Sequence, residues 1–277
     1  PIETVESTDV SRASVRLLVA EDNEINRLVV GEMLESAGYH HDLVVNGREA
    51  VEAAQRQAYD IVLMDCQMPE LDGFEATREI RRLENSGAPL GRRGVPLTII
   101  ALTANAIQGD REKCLTTGMN DYITKPIDAR VLYQTLEKYC GQPSVSVAEA
   151  GAPAPSAVGA PAEASQVLNP APAIAAMGDD EELYAAVVAM FLSSEADFPH
   201  RFSTALTGGD LTGATRHAHT LKGVAASLGA ERVQHSAARL EQACRQGLPA
   251  EAAFAETRAE LATLIALLQE NYPKTDA

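Results

Sequence analysis

A chain of 277 residues has room for about two domains, and with 45% hydrophobic residues it can bury packed cores. Its 23 basic against 39 acidic residues leave a formal charge of −16, with −8 on either side of Gly141, which argues against nucleic acid and anionic membrane as direct partners. No apolar run reaches the roughly 18 residues that a spanning helix needs, and the chain opens on Pro1 without a signal-peptide pattern, so it reads as a fragment of a larger protein.

Residues 1–12 are polar and read as a frayed tail. Val15–Ala20 is a first buried strand that runs into Glu21-Asp22. Asn23 is placed to cap a helix whose Ile25, Leu28, Val29, Met33 and Leu34 recur at helical spacing up to Gly38. Leu43–Val45 is a second strand, and Gly47–Gln57 a second helix. Ile61–Met64 is an unbroken apolar run that stops in Asp65, before a turn with Pro69, Asp72 and Gly73 and a helix over Phe74–Leu83. Residues 84–96 form a long loop that carries Arg92 and Arg93. Leu97–Leu102 runs into Thr103, a helix follows over Ile107–Thr117, Asp121–Thr124 runs into Lys125-Pro126, and Val131–Tyr139 is a last amphipathic helix. Five strands alternating with helices predict an α/β domain over 13–141 with a parallel sheet covered on both faces.

Four strands thus end in polar residues, and a parallel sheet brings those ends to one edge: Glu21 and Asp22, Asp65, Thr103, and Lys125. Three carboxylates around one hollow repel unless a cation neutralises them, and hard oxygen donors suit Mg²⁺. With an ammonium at Lys125 and a hydroxyl at Thr103, the set suits a carboxylate nucleophile attacking phosphorus in line. Cys66, Cys114, Cys140 and Cys244 form no CxxC pair, which favours reduced thiols in a cytosolic compartment, with Cys66 in a packing role.

Val19-Ala20-Glu21-Asp22-Asn23, Leu63-Met64-Asp65-Cys66-Gln67-Met68-Pro69, Ala101-Leu102-Thr103-Ala104 and Ile123-Thr124-Lys125-Pro126 together resemble a response-regulator receiver domain. The likeness is greatest to receivers attached to hybrid sensor histidine kinases, and it implies a five-stranded (βα)5 flavodoxin-like fold. It further implies that Asp65 accepts the phosphoryl group, and that Asp22, Asp65 and the Gln67 backbone carbonyl hold Mg²⁺ with Glu21 acting mostly through water. Thr103 and Tyr122 are the implied switch, and Gln67 and Asn105 flank the attacking water and tune aspartyl-phosphate lifetime. A hydrolase with an aspartate nucleophile is the weaker fit, because such enzymes carry a second Asp two positions on, where this chain has Gln67.

From 142 to 165 the chain is Ala, Pro, Ser, Gly and Val with isolated Glu, a composition that predicts a flexible tether. Roughly two dozen such residues span on the order of 27 Å, which holds two domains at about millimolar effective concentration. From 166 to 273 no strand pattern appears. Helices are predicted over Glu181–Ala205, Leu211–Leu228, Ala230–Gln246 and Ala250–Asn271, a four-helix bundle followed by a short tail over 274–277. On one of them His217 and His219 point about 200° apart and share no metal, whereas Lys222 and Gly223 lie one turn from His219 on its own face. A lysine there pairs with a phosphoryl group on the imidazole, and a glycine there leaves room for a docking protein. His219-Thr220-Leu221-Lys222-Gly223 is similar to the signature of a histidine phosphotransfer (HPt) domain, which implies that His219 is a phosphoryl carrier. The bundle is expected to supply no base, metal or nucleotide site of its own.

Together the two resemblances imply a phosphorelay segment at the end of a hybrid sensor kinase, the cytoplasmic part of an inner-membrane-anchored protein in a bacterium. Phosphoryl groups would pass from the upstream histidine kinase core of the same protein to Asp65, by transient intramolecular contact to His219, and on to a downstream response regulator, reversibly. No Gly-rich ATP-binding segment is present, so the expected chemistry is receiver-catalysed transfer and slow aspartyl-phosphate hydrolysis, with no direct membrane contact. The alternative is an interaction module in which the receiver binds a partner enzyme or the kinase core and phosphorylation tunes that grip.

Overall fold

The structure, a computed structural model, describes residues 12–88, 90–92, 95–104, 108–140 and 167–273. The expected tether and tails, except Arg12, lie outside these residues, as do Arg93 and Asn105. The chain divides into two compact units, one α/β and one all-helical.

The α/β unit follows the alternation expected of it: β1 (Arg16–Ala20), α1 (Glu24–Ser36), β2 (His40–Val44), α2 (Gly47–Arg56), β3 (Ile61–Asp65), α3 (Gly73–Asn85), β4 (Thr98–Thr103), α4 (Gln108–Thr117), β5 (Asp121–Thr124) and α5 (Ala129–Cys140). The five strands are parallel, in the order β2-β1-β3-β4-β5. β1 and β3, which with β4 are the three inner strands, are apolar because both faces are covered, and Leu17, Leu18, Val62 and Leu63 have no exposure. Strand β2 starts three residues earlier than its apolar run suggests, since it is one of the sheet's two edge strands and its His40, Asp42 and Leu43 are exposed. Arg12, expected in a frayed tail, sits in a 3-10 turn and donates to the Ala37 carbonyl oxygen (3.4 Å) and to Glu137 (2.5 Å).

The helical unit contains α6 (Pro170–Ala176), α7 (Glu181–Ser194), α8 (Phe198–Thr207), α9 (Leu211–Leu228), α10 (Glu231–Arg245) and α11 (Glu251–Asn271). The last three match their predicted spans to within a residue at each end. The helix expected over Glu181–Ala205 is two helices. Pro199, in the first turn of α8, lacks the N–H that a continuous helix would need there and its ring blocks the preceding turn. Arg201 closes the break by donating to the Ser194 carbonyl oxygen (3.0 Å) and the buried Glu195 carboxylate (2.9 Å). Helix α6 was not foreseen. Its entry is fastened by Asn169, whose N–H donates to the carbonyl oxygen of Gly229 at 2.9 Å. Gly229 ends α9 at φ +74, and a Cβ on it would lie 2.0 Å from the Asn169 carbonyl oxygen, so only glycine fits. Among the described residues, no helix is long and apolar enough to cross a membrane.

Candidate phosphotransfer sites

The chain runs from β1 outward to β2 and then returns to the other side of β1 for β3, so the order reverses between β1 and β3. At such a switch point the loops after the strands part and leave a crevice. Register matches Ala20 with Met64, so the residues that follow, Glu21 and Asp65, emerge together. Ligand oxygens of Glu21, Asp22 and Asp65 all lie within 4.8 Å of one another. The Glu21 and Asp65 side chains are buried.

Local bonds aim these groups. Asn23 caps α1 by accepting from the Asn26 N–H (2.9 Å), and the Asn26 side-chain amide donates back to Glu21 Oε1 (2.9 Å). Arg27, one turn into α1, donates from Nη1 to the carbonyl oxygens of Glu21 (2.8 Å) and Asp22 (2.7 Å), which pins the backbone that carries both acids. The Gln67 N–H donates to Asp65 Oδ1 at 3.2 Å. Asp72 caps α3 through the Glu75 N–H (2.7 Å) and delivers Gly73 against the strand end. A Cβ on Gly73 would lie 2.1 Å from the Asp65 carbonyl oxygen, so the turn closes this tightly only with glycine.

Thr103 ends β4 next to this hollow and is buried. It pairs with Thr124, the residue before Lys125, so Lys125 leaves the sheet at the same edge. Tyr122 packs partly buried against the core and pairs with Ala101, and the Gln67 side chain is exposed. Cys66 is buried, consistent with packing. Three carboxylates in so small a space are costly unless a cation shares it, and an all-oxygen donor set suits Mg²⁺, so the residues present fit that ion.

In the helical unit, His219 lies on α9 and is only partly exposed. Its Nδ1 is 2.9 Å from Oε1 of Glu241 on α10, and Lys222 Nζ donates to the other oxygen of the same carboxylate at 2.7 Å. Arg245, one turn further along α10, also reaches Glu241, at 2.6 Å. Burial opposes ionisation of Glu241, but the hydrogen bond and charge of His219, with Lys222, outweigh it and hold the pKa at about 2. Burial lowers the pKa of His219 despite the opposing pull of Glu241. An ionised carboxylate only accepts, so Nδ1 carries the proton and Nε2 keeps its lone pair. Gly223 has open space where a side chain would project. His217 is half-buried away from this cluster, its pKa lowered by burial and by Arg201 and Arg216.

Two residues here escaped the reading of the sequence. One is Glu241, a carboxylate that α10 places against the imidazole. Its signal was a carboxylate on the apolar face of α10, among the buried Ala237, Leu240 and Cys244. Arg27 has the ordinary look of a solvated helix residue, and only its bonds to two carbonyl oxygens set it apart.

Comparison with known proteins agrees with both halves. The family model described as response regulator receiver domain matches residues 17–137, and that described as Hpt domain matches residues 186–271. Hybrid signal transduction histidine kinase B of Dictyostelium discoideum is 43% identical over 142 residues, 50% of this chain and 7% of that protein. Sensor histidine kinase GacS of Pseudomonas protegens is 42% identical over 136 residues, 49% of this chain and 14% of its own length. This chain therefore spans a small part of the curated relatives it matches. The crystal structure of the receiver domain of a Pseudomonas aeruginosa sensor histidine kinase, with a magnesium ion coordinated in its active-site cleft, is 48% identical. That match covers 46% of this chain and 98% of the other, with a TM-score of 0.41.

Proposed function

Because the chain carries a response regulator receiver domain and, C-terminal to it, an Hpt domain, we propose that it is the phosphorelay segment of a hybrid sensor histidine kinase. The observation that carries this reading is the cluster of Glu21, Asp22 and Asp65 at the switch point of the sheet. Asp65 is the nucleophile. One of its oxygens attacks the phosphorus of a phosphohistidine on the kinase core of the same protein, the P–N bond breaks with its electron pair returning to nitrogen, and the imidazole leaves as the neutral ring, keeping the proton already on its other nitrogen. In the second transfer His219 Nε2 attacks the aspartyl phosphate, the P–O bond breaks, and Asp65 regains its carboxylate.

Asp22, Asp65 and the Gln67 carbonyl would hold Mg²⁺ with Glu21 behind them, and that ion would offset charge on the phosphoryl oxygens. Thr103 donates its hydroxyl and Lys125 its ammonium to the same oxygens. Thr103 and Tyr122 act as the switch between states, and Gln67 and Asn105 set the lifetime of the aspartyl phosphate. On the helical side, Glu241 orients His219, Lys222 meets the incoming phosphoryl group, and Gly223 clears the approach of a receiver. Transient contact across the tether delivers the group from Asp65 to His219, and a separate response regulator takes it onward or returns it. In this reading the chain is the cytoplasmic part of a membrane-anchored bacterial kinase.

The test is to incubate the chain and Mg²⁺ with a phosphorylated kinase core and to map alkali-labile (acyl phosphate) and acid-labile (phosphohistidine) label. Wild type should carry both. His219→Gln should keep the alkali-labile label and stop transfer to the regulator, while Asp65→Asn should carry neither. Onward transfer by His219→Gln would overturn the scheme.

A further inference from the structure

Four of the five strands end in residues assigned to the site, and β2 does not. Its exit is nevertheless built into the site's framework. The carbonyl oxygen of Val44, the last residue of β2, accepts from the Glu21 N–H at 3.1 Å. Three residues later, the Gly47 N–H donates to the Leu71 carbonyl oxygen at 3.0 Å. Strand β2 does not border β3, so this short turn crosses the end of β1 to reach the loop that follows Asp65. It bonds to both segments that carry the carboxylates.

The fit at Gly47 is tight. A Cβ there would stand 2.3 Å from the Leu71 carbonyl oxygen, 2.9 Å from Ala76 Cβ and 3.1 Å from the Asp72 carbonyl oxygen. Backbone and a helix-bound methyl surround it, so no flexible side chain is available to give way. The turn itself is stiff. Buried Asn46 accepts from the Glu49 N–H at 2.8 Å, and Glu49 Oε2 accepts from the Val45 N–H at 3.2 Å, a reciprocal cap on α2. The loop it grips is equally constrained: Glu70 holds a left-handed backbone at φ 63, and the Leu71 N–H donates to the Pro69 carbonyl oxygen at 2.7 Å.

We propose that Gly47 is a positioning residue for the phosphoryl-accepting site, setting the loop between Asp65 and Asp72 at the height where the Asp65 carboxylate and the Gln67 carbonyl meet one cation. The inference rests on the Mg²⁺ reading given above. A side chain at Gly47 pushes Leu71 away, and since Gly73 is locked against Asp65, the displacement falls on the residues between.

The experiment is calorimetric titration of Mg²⁺ into the whole chain, with circular dichroism as the folding control. Gly47→Ala should weaken Mg²⁺ binding about 10- to 100-fold, the range seen when groups behind metal ligands are altered. Asn46→Ala, which loosens the same turn without adding bulk, should weaken it in the same direction and decides the matter if Gly47→Ala does not fold. Leu132→Ala, a cavity in the core under α5, should lower the melting temperature and leave Mg²⁺ affinity unchanged, which separates positioning from stability. Wild-type affinity in a folded Gly47→Ala, or in Asn46→Ala should Gly47→Ala not fold, would overturn the inference. A wild-type chain that binds no Mg²⁺ would overturn the metal reading itself.

Discussion

Glu241 draws three cationic or proton-bearing groups onto one carboxylate: His219, Lys222 and Arg245. A buried carboxylate with such company is held ionised, and its partners are held in place. With His219 neutral, the cluster keeps a net positive charge, which suits the arrival of a phosphoryl group. Replacing Glu241 with Ala releases Lys222 and Arg245 from this carboxylate and removes from His219 a charge-assisted hydrogen bond worth about 1.5–3 kcal/mol, so labelling of His219 should slow about 10- to 100-fold. Glu241→Gln still offers an oxygen to Nδ1–H and should lose less, which a time course of acid-labile label would resolve. The lowered pKa of His219 gives a pH prediction with a definite sign. The folded chain disfavours the protonated imidazole, so Nε2 stays nucleophilic as pH falls through 6.5, the ordinary value. Stability moves the same way: His219 costs nothing above that value and destabilises the fold as pH drops below it. An NMR titration of the imidazole should find its midpoint below 6.5 in the wild type, and His219→Gln should flatten the loss of stability on mild acidification.

At the scale of elements, helix ends decide where the reactive groups sit. Helix α9, which carries His219, begins at Asp210, whose side chain accepts from the Gly213 N–H at 2.8 Å. Asp210→Ala should cost about 1 kcal/mol, read as a lower denaturation midpoint. The far end of α9 is less forgiving. Gly229→Ala meets both a left-handed backbone and the Asn169 carbonyl oxygen, so its cost should exceed that of the lost cap and should release α6. These signals are readable in the chain: Asn23, Asp72 and Asp210 are ordinary caps at the starts of apolar-periodic runs. The Pro199 break was equally readable, but the apolar pattern that spans it drew the two helices into one. β2 was misjudged for a different reason. An edge strand has less to bury, so its alternation is faint.

On the scale of the whole molecule, charge and composition divide the chain into two acidic halves joined by a segment with little to bury. The proposed boundaries, 13–141 and 166–273, predict that the two halves fold when separated. Each fragment should keep its own secondary structure by circular dichroism, and transfer from Asp65 to His219 between fragments at micromolar concentration should be much slower than in the joined chain. The ratio measures the tether's effective concentration, about millimolar. Equal rates would show that the tether contributes nothing to transfer.

The strand ends and the histidine were legible because their chemistry lies in short stretches: a buried run that stops in Asp65, or a histidine with lysine and glycine one turn on. Any five-stranded parallel sheet would gather Glu21, Asp22, Asp65, Thr103 and Lys125 at one edge. What the linear order left open were relations between segments far apart in the chain. Glu241 meets His219 only because α9 and α10 pack with those faces together, 22 residues apart. Gly47 meets Leu71 only because the sheet order carries β2 beyond β1. Residue type and spacing determine which groups are present and which way each leaves its own strand or helix. Register and packing between elements decide which of them touch, and that is where the framework around the three carboxylates and the partner of His219 were settled.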